Sequence, residues 1–405
     1  MSNSPCIAGI GPGNPDFLCP IAKKHIEAAD VLIGGKRNLE EFSYIYNVEK
    51  IPLDRNLNAA VNYIAEHWQE KSIVVLASGD TGLFSISSYL QKKLPQIHFQ
   101  VLPGISSLQY LMAKRDLKWN EIKIVTLHGN HALNLRNTVA QNKVTAIFTG
   151  GENTPTTIGK ALTHPLFSEV TLTVGENLSY PSERIFSGTP AEISTKDFGD
   201  LSIVIAENPN AKNGPWPYLT PGLPDSCFLR DEVPMTKSEI RGLIMSKLRL
   251  RPDSNILEIG AGSGSCTIEM ALLAQEGKVC TIERSPAAAA LCKKNIDRFG
   301  LDNITLVEGT APKDIPKDFQ PDRLFIGGSG GNMNALLHHY KSGPLRVVIS
   351  AITVESVSEA LTGLKECGFE DIEIIQAAIS RSKTAGTKHL MMGMNPITIV
   401  SGERK

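Results

Sequence analysis

No apolar run in this chain of 405 residues approaches the roughly 20 residues that cross a bilayer, so a membrane-spanning segment is not expected. The opening residues, Met1-Ser2-Asn3-Ser4-Pro5, lack the basic and apolar regions of a signal peptide. The seven cysteines, Cys6, Cys19, Cys227, Cys266, Cys280, Cys292 and Cys367, include no Cys-x-x-Cys pair. Reduced, mostly buried thiols in a cytoplasmic protein are therefore expected. Metal-ligand spacing is equally scarce: His128 with His131, and the adjacent His338 and His339, are the candidates, and no catalytic metal is expected. An excess of positive charge is missing too, the formal net charge being −1. That disfavours a nucleic-acid partner, which needs a basic surface, but not a local basic pocket for an acidic small molecule. Internal repeats and low-complexity segments are absent as well.

The length exceeds what one hydrophobic core serves, so two or three domains are expected. In the first half, short apolar strands alternate with helical segments: strand Cys6–Ile10, helix Pro20–Ala29, strands Val31–Ile33 and Ile73–Ala77. Such alternation predicts an α/β fold with a parallel sheet. Ile122–Leu127, Ala146–Thr149, Val170–Val174 and Leu201–Ala206 continue the pattern as a second small lobe. Pro, Gly and Asn then crowd the stretch from Asn208 to Pro224, which reads as a linker. Beyond it a new α/β unit begins, with helix Lys237–Leu248, strand Asn255–Ile259 and helix Cys266–Ala274. Strands Lys278–Ile282, Ile304–Glu308, Arg323–Ile326 and Arg346–Ile349 follow. The expected division is residues 1–208, a linker at 209–224, and residues 225–405.

Two glycine loops carry the chemistry. In the second half, Glu258-Ile259-Gly260-Ala261-Gly262-Ser263-Gly264 turns a buried strand into a helix. Glycines there let backbone approach a ligand, and the helix start offers free N–H donors. About twenty residues on, Glu283 ends the next strand, where an acid grips ribose hydroxyls. A nicotinamide dehydrogenase shares that context. A methyltransferase is favoured by Glu258 before the loop, by the Gly-x-Gly-x-Gly spacing, and by the lack of a hydride-transfer set such as Tyr-x-x-x-Lys.

In order and spacing, Pro234-Met235-Thr236-Lys237-Ser238-Glu239, the glycine loop, Glu308-Gly309-Thr310-Ala311-Pro312, Gly327-Gly328-Ser329-Gly330-Gly331 and Asn395-Pro396 resemble the decarboxylating methyltransferases of the cobalamin pathway. The resemblance implies a Rossmann-like class I methyltransferase fold. It also implies S-adenosylmethionine contacts from Thr236, Gly260, Ala261, Gly262, Ser263, Gly264, Glu283 and Ala311. The loop Gly327, Gly328, Ser329, Gly330, Gly331 would replace the Asn-Pro-Pro-Tyr segment of amino-methylating relatives and leave room for a large, flat substrate.

The first-half loop, Gly9-Ile10-Gly11-Pro12-Gly13-Asn14-Pro15, places prolines where a dinucleotide-binding helix would start. Proline has no N–H to offer a pyrophosphate. With Ala77-Ser78-Gly79-Asp80-Thr81-Gly82, Leu102-Pro103-Gly104-Ile105-Ser106-Ser107, Gly175-Glu176-Asn177-Leu178 and Glu183-Arg184-Ile185, it resembles the tetrapyrrole methylases, a two-lobed fold. Thr81 departs from the commonest form, where proline stands, as in the subgroup acting on carbon 5. Gly79, Asp80, Pro103, Gly104, Ile105, Ser106 and Ser107 would then line an S-adenosylmethionine pocket between the lobes. Gly11, Pro12 and Gly13 would face the tetrapyrrole.

Together the two resemblances imply a bifunctional enzyme with one S-adenosylmethionine per domain. It would methylate a corrin precursor (precorrin-6B/6Y) at carbons 5 and 15 and decarboxylate the ring C acetate, giving precorrin-8. Three alternatives stay open: a cobalt-containing precursor, a nicotinamide-dependent oxidoreductase, and a non-catalytic tetrapyrrole-binding module. A homo-oligomer is expected. Among residues with weaker cases, His128 follows a strand. Arg136, Arg184, Arg230, Arg241, Arg381 and Lys388 are candidates to pair with substrate carboxylates. Met391-Met392-Gly393-Met394 reads as a core strand.

Overall fold

The computed structural model describes residues 4–53, 57–127, 134–212, 218, 220–340 and 342–405. His128 and His131 lie outside them. The chain groups into two compact units, one of Met1–His131, Lys143–Thr163 and Phe167–Pro209, the other of Ala132–Asn142, His164–Leu166 and Asn210–Lys405.

The first unit holds two five-stranded sheets. One is wholly parallel, in the order Glu49–Pro52, Val31–Gly34, Ile73–Ala77, Cys6–Gly9, Gln100–Leu102. Every residue of Ile73–Ala77 is buried, as a central parallel strand requires when both faces are covered. Ile7, Val31, Val75 and Ile64 pack on one face, and Ala8, Leu32, Leu76 and Ile26 on the other. The second sheet runs Ile122–Thr126, Val144–Phe148, Ser202–Glu207, Thr171–Glu176, Arg184–Gly188. Only its first pair is parallel. The helix Ser107–Lys114 packs on this sheet through Leu108, Leu111 and Met112 against Ala146, Ile203 and Ile205.

The second unit is built on a seven-stranded sheet, in the order Ile304–Glu308, Lys278–Glu283, Asn255–Ile259, Arg323–Ile326, Leu345–Ala351, Ile397–Arg404, Glu370–Ala377. The first five strands run parallel, Ile397–Arg404 runs antiparallel to them, and Glu370–Ala377 pairs antiparallel with Ile397–Arg404. Strand order reverses beside Asn255–Ile259, and in such sheets the crevice at the carboxyl edge of that point is where ligands bind. The flanking helix Pro286–Phe299 has local determinants at both ends. Ser285 caps it from Ala288 N–H, a proline opens it, and Gly300 at φ 63° closes it.

Expected strands and helices appear within one or two residues of their sequence bounds. Strands Glu49–Pro52, Gln100–Leu102 and Arg184–Gly188, the antiparallel end of the large sheet, and a hairpin of Ser380–Ala385 with Lys388–Gly393 were not expected. One burial expectation is corrected. Met391 and Met392 do lie in a strand, but they are 66% and 52% exposed, because their two-stranded hairpin forms a separate sheet rather than a core strand of the large one. The segment read as linker has no strand or helix among its described residues. Its end is nonetheless fixed: Leu223 is buried, and Gly222 and Leu223 donate their N–H groups to the Glu269 carboxylate at 2.7 and 3.0 Å.

Candidate active sites

In the second unit a cavity of about 680 Å³ opens at the carboxyl ends of Asn255–Ile259, Lys278–Glu283 and Arg323–Ile326. That volume suits a nucleotide-sized ligand. Thr236, Gly260, Ala261, Gly262, Ser263, Glu283, Ala311, Gly327, Gly328, Ser329 and Gly330 line it; Gly264 and Gly331 do not. Gly264 instead starts the helix Ser265–Leu273 in a left-handed conformation.

The loops after the first and third of these strands lie backbone to backbone. Gly327 and Gly328 both donate to the Ile259 carbonyl, at 2.9 and 3.2 Å. Gly260 adopts φ +84°, and a Cβ there would meet Gly328 N at 2.9 Å, so this position requires glycine twice over. Glu283 organises the rim: its Oε2 accepts Gly262 N–H at 2.9 Å and its Oε1 accepts Ser285 N–H at 2.8 Å. Sequence reasoning placed Glu283 at the ligand, but not its grip on the glycine loop.

Two buried polar atoms in the cavity lining lack partners among the described residues, Ser263 Oγ and Glu258 Oε1. The other oxygen of Glu258 accepts hydroxyl hydrogen bonds from Thr267 and, at 2.7 Å, from Thr281. Burial pushes the Glu258 carboxyl up to about 7, against those two hydrogen bonds and with help from the charge of Glu283. Orphaned acceptors beside glycine backbone fit a polar, positively charged organic ligand.

Arg241 is corrected as a substrate contact. It is completely buried and pairs with Glu269 at 2.6 Å and Asp225 at 3.0 Å, while donating to the carbonyls of Leu223 and Thr236. Its work is to fix the segment bearing Thr236 at the cavity. Arg381 pairs with Asp225 and Glu239. Arg230 and Lys388 are exposed. Ser285, Thr310, Asn332, Ser350 and Ile352 also line the cavity. Their position just past strand ends was the signal that would have found several of them.

The first unit has its own cavity, of about 500 Å³. Pro12, Gly79, Asp80, Ser106 and Ser107 line it; Gly11, Gly13, Pro103, Gly104 and Ile105 do not. The non-lining glycines shape it from behind. Gly11 and Gly79 exchange backbone hydrogen bonds at 3.2 and 2.9 Å. Asp80 accepts Gly82 N–H through Oδ1 and Gly104 N–H through Oδ2, at 2.8 and 3.0 Å. A Cβ on Gly104 would stand 2.3 Å from the Gly79 carbonyl oxygen. Ser106 caps the helix Ser107–Lys114, with Gln109 returning the bond. The far wall, Phe148, Thr149, Asp200, Leu201, Ser202 and Ile203, comes from the second sheet and the turn before its central strand. Gly175 and Leu178, from the Gly175-Glu176-Asn177-Leu178 motif, also line the cavity; no sequence motif marked the rest of that wall. Arg184 is held by Glu176 at 2.6 Å. Among the described residues no three His, Cys, Asp or Glu side chains cluster as metal ligands would, and no helix is long and apolar enough to cross a membrane.

Comparison with known families matches residues 6–194 to the tetrapyrrole (corrin/porphyrin) methylases and residues 226–404 to the precorrin methyltransferase domain. A precorrin-6Y C(5,15)-methyltransferase [decarboxylating] from Sinorhizobium sp is 30% identical over 359 residues, 86% of this chain and 84% of its own length. A probable cobalt-precorrin-6B C(15)-methyltransferase (decarboxylating) from Saccharolobus solfataricus is 40% identical over 200 residues, 47% of this chain and 98% of its own. The crystal structure described as precorrin-6y C5,15-methyltransferase from Geobacter metallireducens GS-15 is 31% identical with a TM-score of 0.42, covering 46% of this chain and 97% of that one.

Proposed function

The chain belongs to the precorrin-6Y C(5,15)-methyltransferase (decarboxylating) family, and from that premise we propose that its two cavities are two separate active sites, each taking one S-adenosylmethionine. The protein is an S-adenosylmethionine-dependent, decarboxylating methyltransferase acting on a tetrapyrrole in cobalamin biosynthesis, which sets aside the nicotinamide-dependent alternative. The observation that carries the two-site reading is that each unit encloses its own loop-lined cavity, lined by its own residues.

In this reading residues 1–208 methylate carbon 5. Residues 225–405 methylate carbon 15 and decarboxylate the ring C acetate, and residues 209–224 join them. The relative whose name carries only the C(15) and decarboxylating activities matches about half of this chain, which supports that division. When bound, the cofactor supplies an electrophilic methyl group on a sulfonium. The protein's share is alignment and exclusion of water, which is why both cavities are rich in backbone and glycine. In the second unit Glu283, Thr236, Ala311 and the loop Gly260–Gly264 would hold the cofactor, with Gly327–Gly331 beside the macrocycle. In the first, Gly79, Asp80 and Pro103–Ser107 would hold it, and Gly11–Gly13 would face the substrate. Meso carbons of a reduced, electron-rich macrocycle attack without a strong base. Electrons left by departing carbon dioxide pass into the conjugated ring.

A cytoplasmic location is supported by the seven free cysteines. A homo-oligomer is supported by the exposed apolar residues Val354, Leu390 and Met391.

The test is mass spectrometry of products from the full chain given S-adenosylmethionine and either metal-free or cobalt-containing precursor. The expected product has gained two methyl groups and lost one carbon dioxide. A product with one methyl group from the intact chain, whichever precursor is used, contradicts the bifunctional reading, and the preferred precursor decides the metal question.

A further inference from the structure

Most arginines that the sequence offered as carboxylate partners are spent elsewhere. Arg241, Arg381 and Arg184 pair with acids of the chain itself, and Arg230 lines neither cavity. Arg284, which no motif singled out, stands differently. It directly follows Glu283 at the end of the strand Lys278–Glu283. Among the described residues it is the one lysine, arginine or histidine in the lining of the larger cavity, where three acids, Glu232, Glu258 and Glu283, share the wall with it. Arg284 is exposed, and no ion pair or hydrogen bond among the described residues engages its guanidinium.

An exposed arginine ordinarily points its charge at open water. This one reaches along the carboxyl edge of the sheet instead. A Cβ built on Gly330 would lie 2.6 Å from Nη1 and 3.2 Å from Cζ of Arg284. The side chain therefore passes the end of Asn255–Ile259 and arrives at the loop that follows Arg323–Ile326, two places along in the strand order. That loop is open beside the guanidinium: a Cβ on Gly328 or on Gly331 would meet nothing within 4 Å. A planar cation thus lies against unobstructed backbone at the mouth of a cavity whose other charged groups are acids.

A substrate that loses carbon dioxide must enter with at least one carboxylate, and acids alone would repel it. Resting on the function proposed above, we propose that Arg284 holds a carboxylate of the tetrapyrrole at the second active site and so sets which edge of the ring faces Gly327–Gly331. The carboxylate it holds is one that stays on the ring. An ion pair stabilises a carboxylate and does nothing for neutral carbon dioxide, so an arginine on the departing group would slow the step it serves. The guanidinium fork grips a carboxylate at two points and fixes its orientation, which a single ammonium does not. Arg284 touches no reacting atom; it selects and orients the substrate.

Carbon dioxide release by the full chain, with precorrin-6B varied at saturating S-adenosylmethionine, reads the second site alone. In Arg284→Ala the KM for the precursor should rise about tenfold while kcat holds, the pattern of lost binding rather than lost chemistry. Arg284→Lys, which keeps the charge without the fork, should recover part of that loss. Methylation at carbon 5 and the calorimetric Kd for S-adenosylmethionine should stay as in the unaltered chain. An unchanged KM overturns the proposal. So does a weakened S-adenosylmethionine Kd that accounts for the whole change, since Arg284 would then be holding the cofactor. Should Arg284→Ala fail to fold, the KM of Arg284→Lys against that of the unaltered chain still decides. Absence of carbon dioxide release from the unaltered chain would instead overturn the proposed function, so the two failures are distinguishable.

Discussion

At the scale of single residues, Glu283 shows how a side chain can be legible in part. Its distance from the glycine loop marks it as a ribose ligand. Only the structure adds that both its oxygens accept backbone N–H groups, from Gly262 and Ser285. Glu283→Ala should thus weaken cofactor binding in the second unit by about 1–3 kcal/mol through lost charged hydrogen bonds. It should also loosen the Gly260–Gly264 turn, an effect that Glu283→Gln, still able to accept through its amide oxygen, should show less. Calorimetry with both variants checks this; equal losses would assign the whole effect to the charge. Arg241 could not be read from its sequence. An arginine between helical residues is ordinarily a solvated one, and its burial depends on Glu269 and Asp225 arriving from elements 28 and 16 residues away.

At the scale of elements, strands of the parallel sheets are legible because burial on both faces forces continuous β-branched runs, as in Ile73–Val74–Val75. The antiparallel end of the large sheet is not. Strand Glu370–Ala377 is mostly exposed and interrupted by a bulge between Glu370 and Glu373, so it carries no apolar run. The hairpin Ser380–Gly393 is exposed along most of its length, and the Met391-Met392 pair that reads as core has only its own hairpin partner strand. Two arginines share the Asp225 carboxylate in fastening the segment before helix Ser238–Leu248, and they should differ sharply. Arg241 is fully buried with Glu269, so Arg241→Ala leaves a buried carboxylate unpaired and should cost about 3–5 kcal/mol. Arg381 is partly exposed, so Arg381→Ala should cost about 1 kcal/mol or less. Denaturant unfolding monitored at Trp residues will not isolate the second unit, so hydrogen exchange of the helix Ser238–Leu248 is the measurement. Comparable losses of protection in the two variants would refute the distinction.

At the scale of the whole molecule, the two glycine loops in unlike surroundings pointed to the two cavities, whereas most of the wall opposite the first loop, Phe148 with Asp200–Ile203, came from segments without a motif. Each cavity draws its lining from one unit, so the two activities should be separable within the intact chain by single substitutions. Gly104→Ala forces a Cβ to within 2.3 Å of the Gly79 carbonyl oxygen and 2.8 Å of the Gly9 backbone, so three backbone segments behind the first cavity must move. That variant should bind one S-adenosylmethionine where the unaltered chain binds two. It should still release carbon dioxide and methylate carbon 15 while leaving carbon 5 bare. Glu283→Ala should produce the opposite pattern, with carbon 5 methylated and decarboxylation slowed. Calorimetric stoichiometry and mass spectrometry of the products read both halves of this claim. If either substitution abolished both methylations in a chain that still unfolds cooperatively, the sites would be coupled. The division of labour would then have to be sought in one shared active site rather than two.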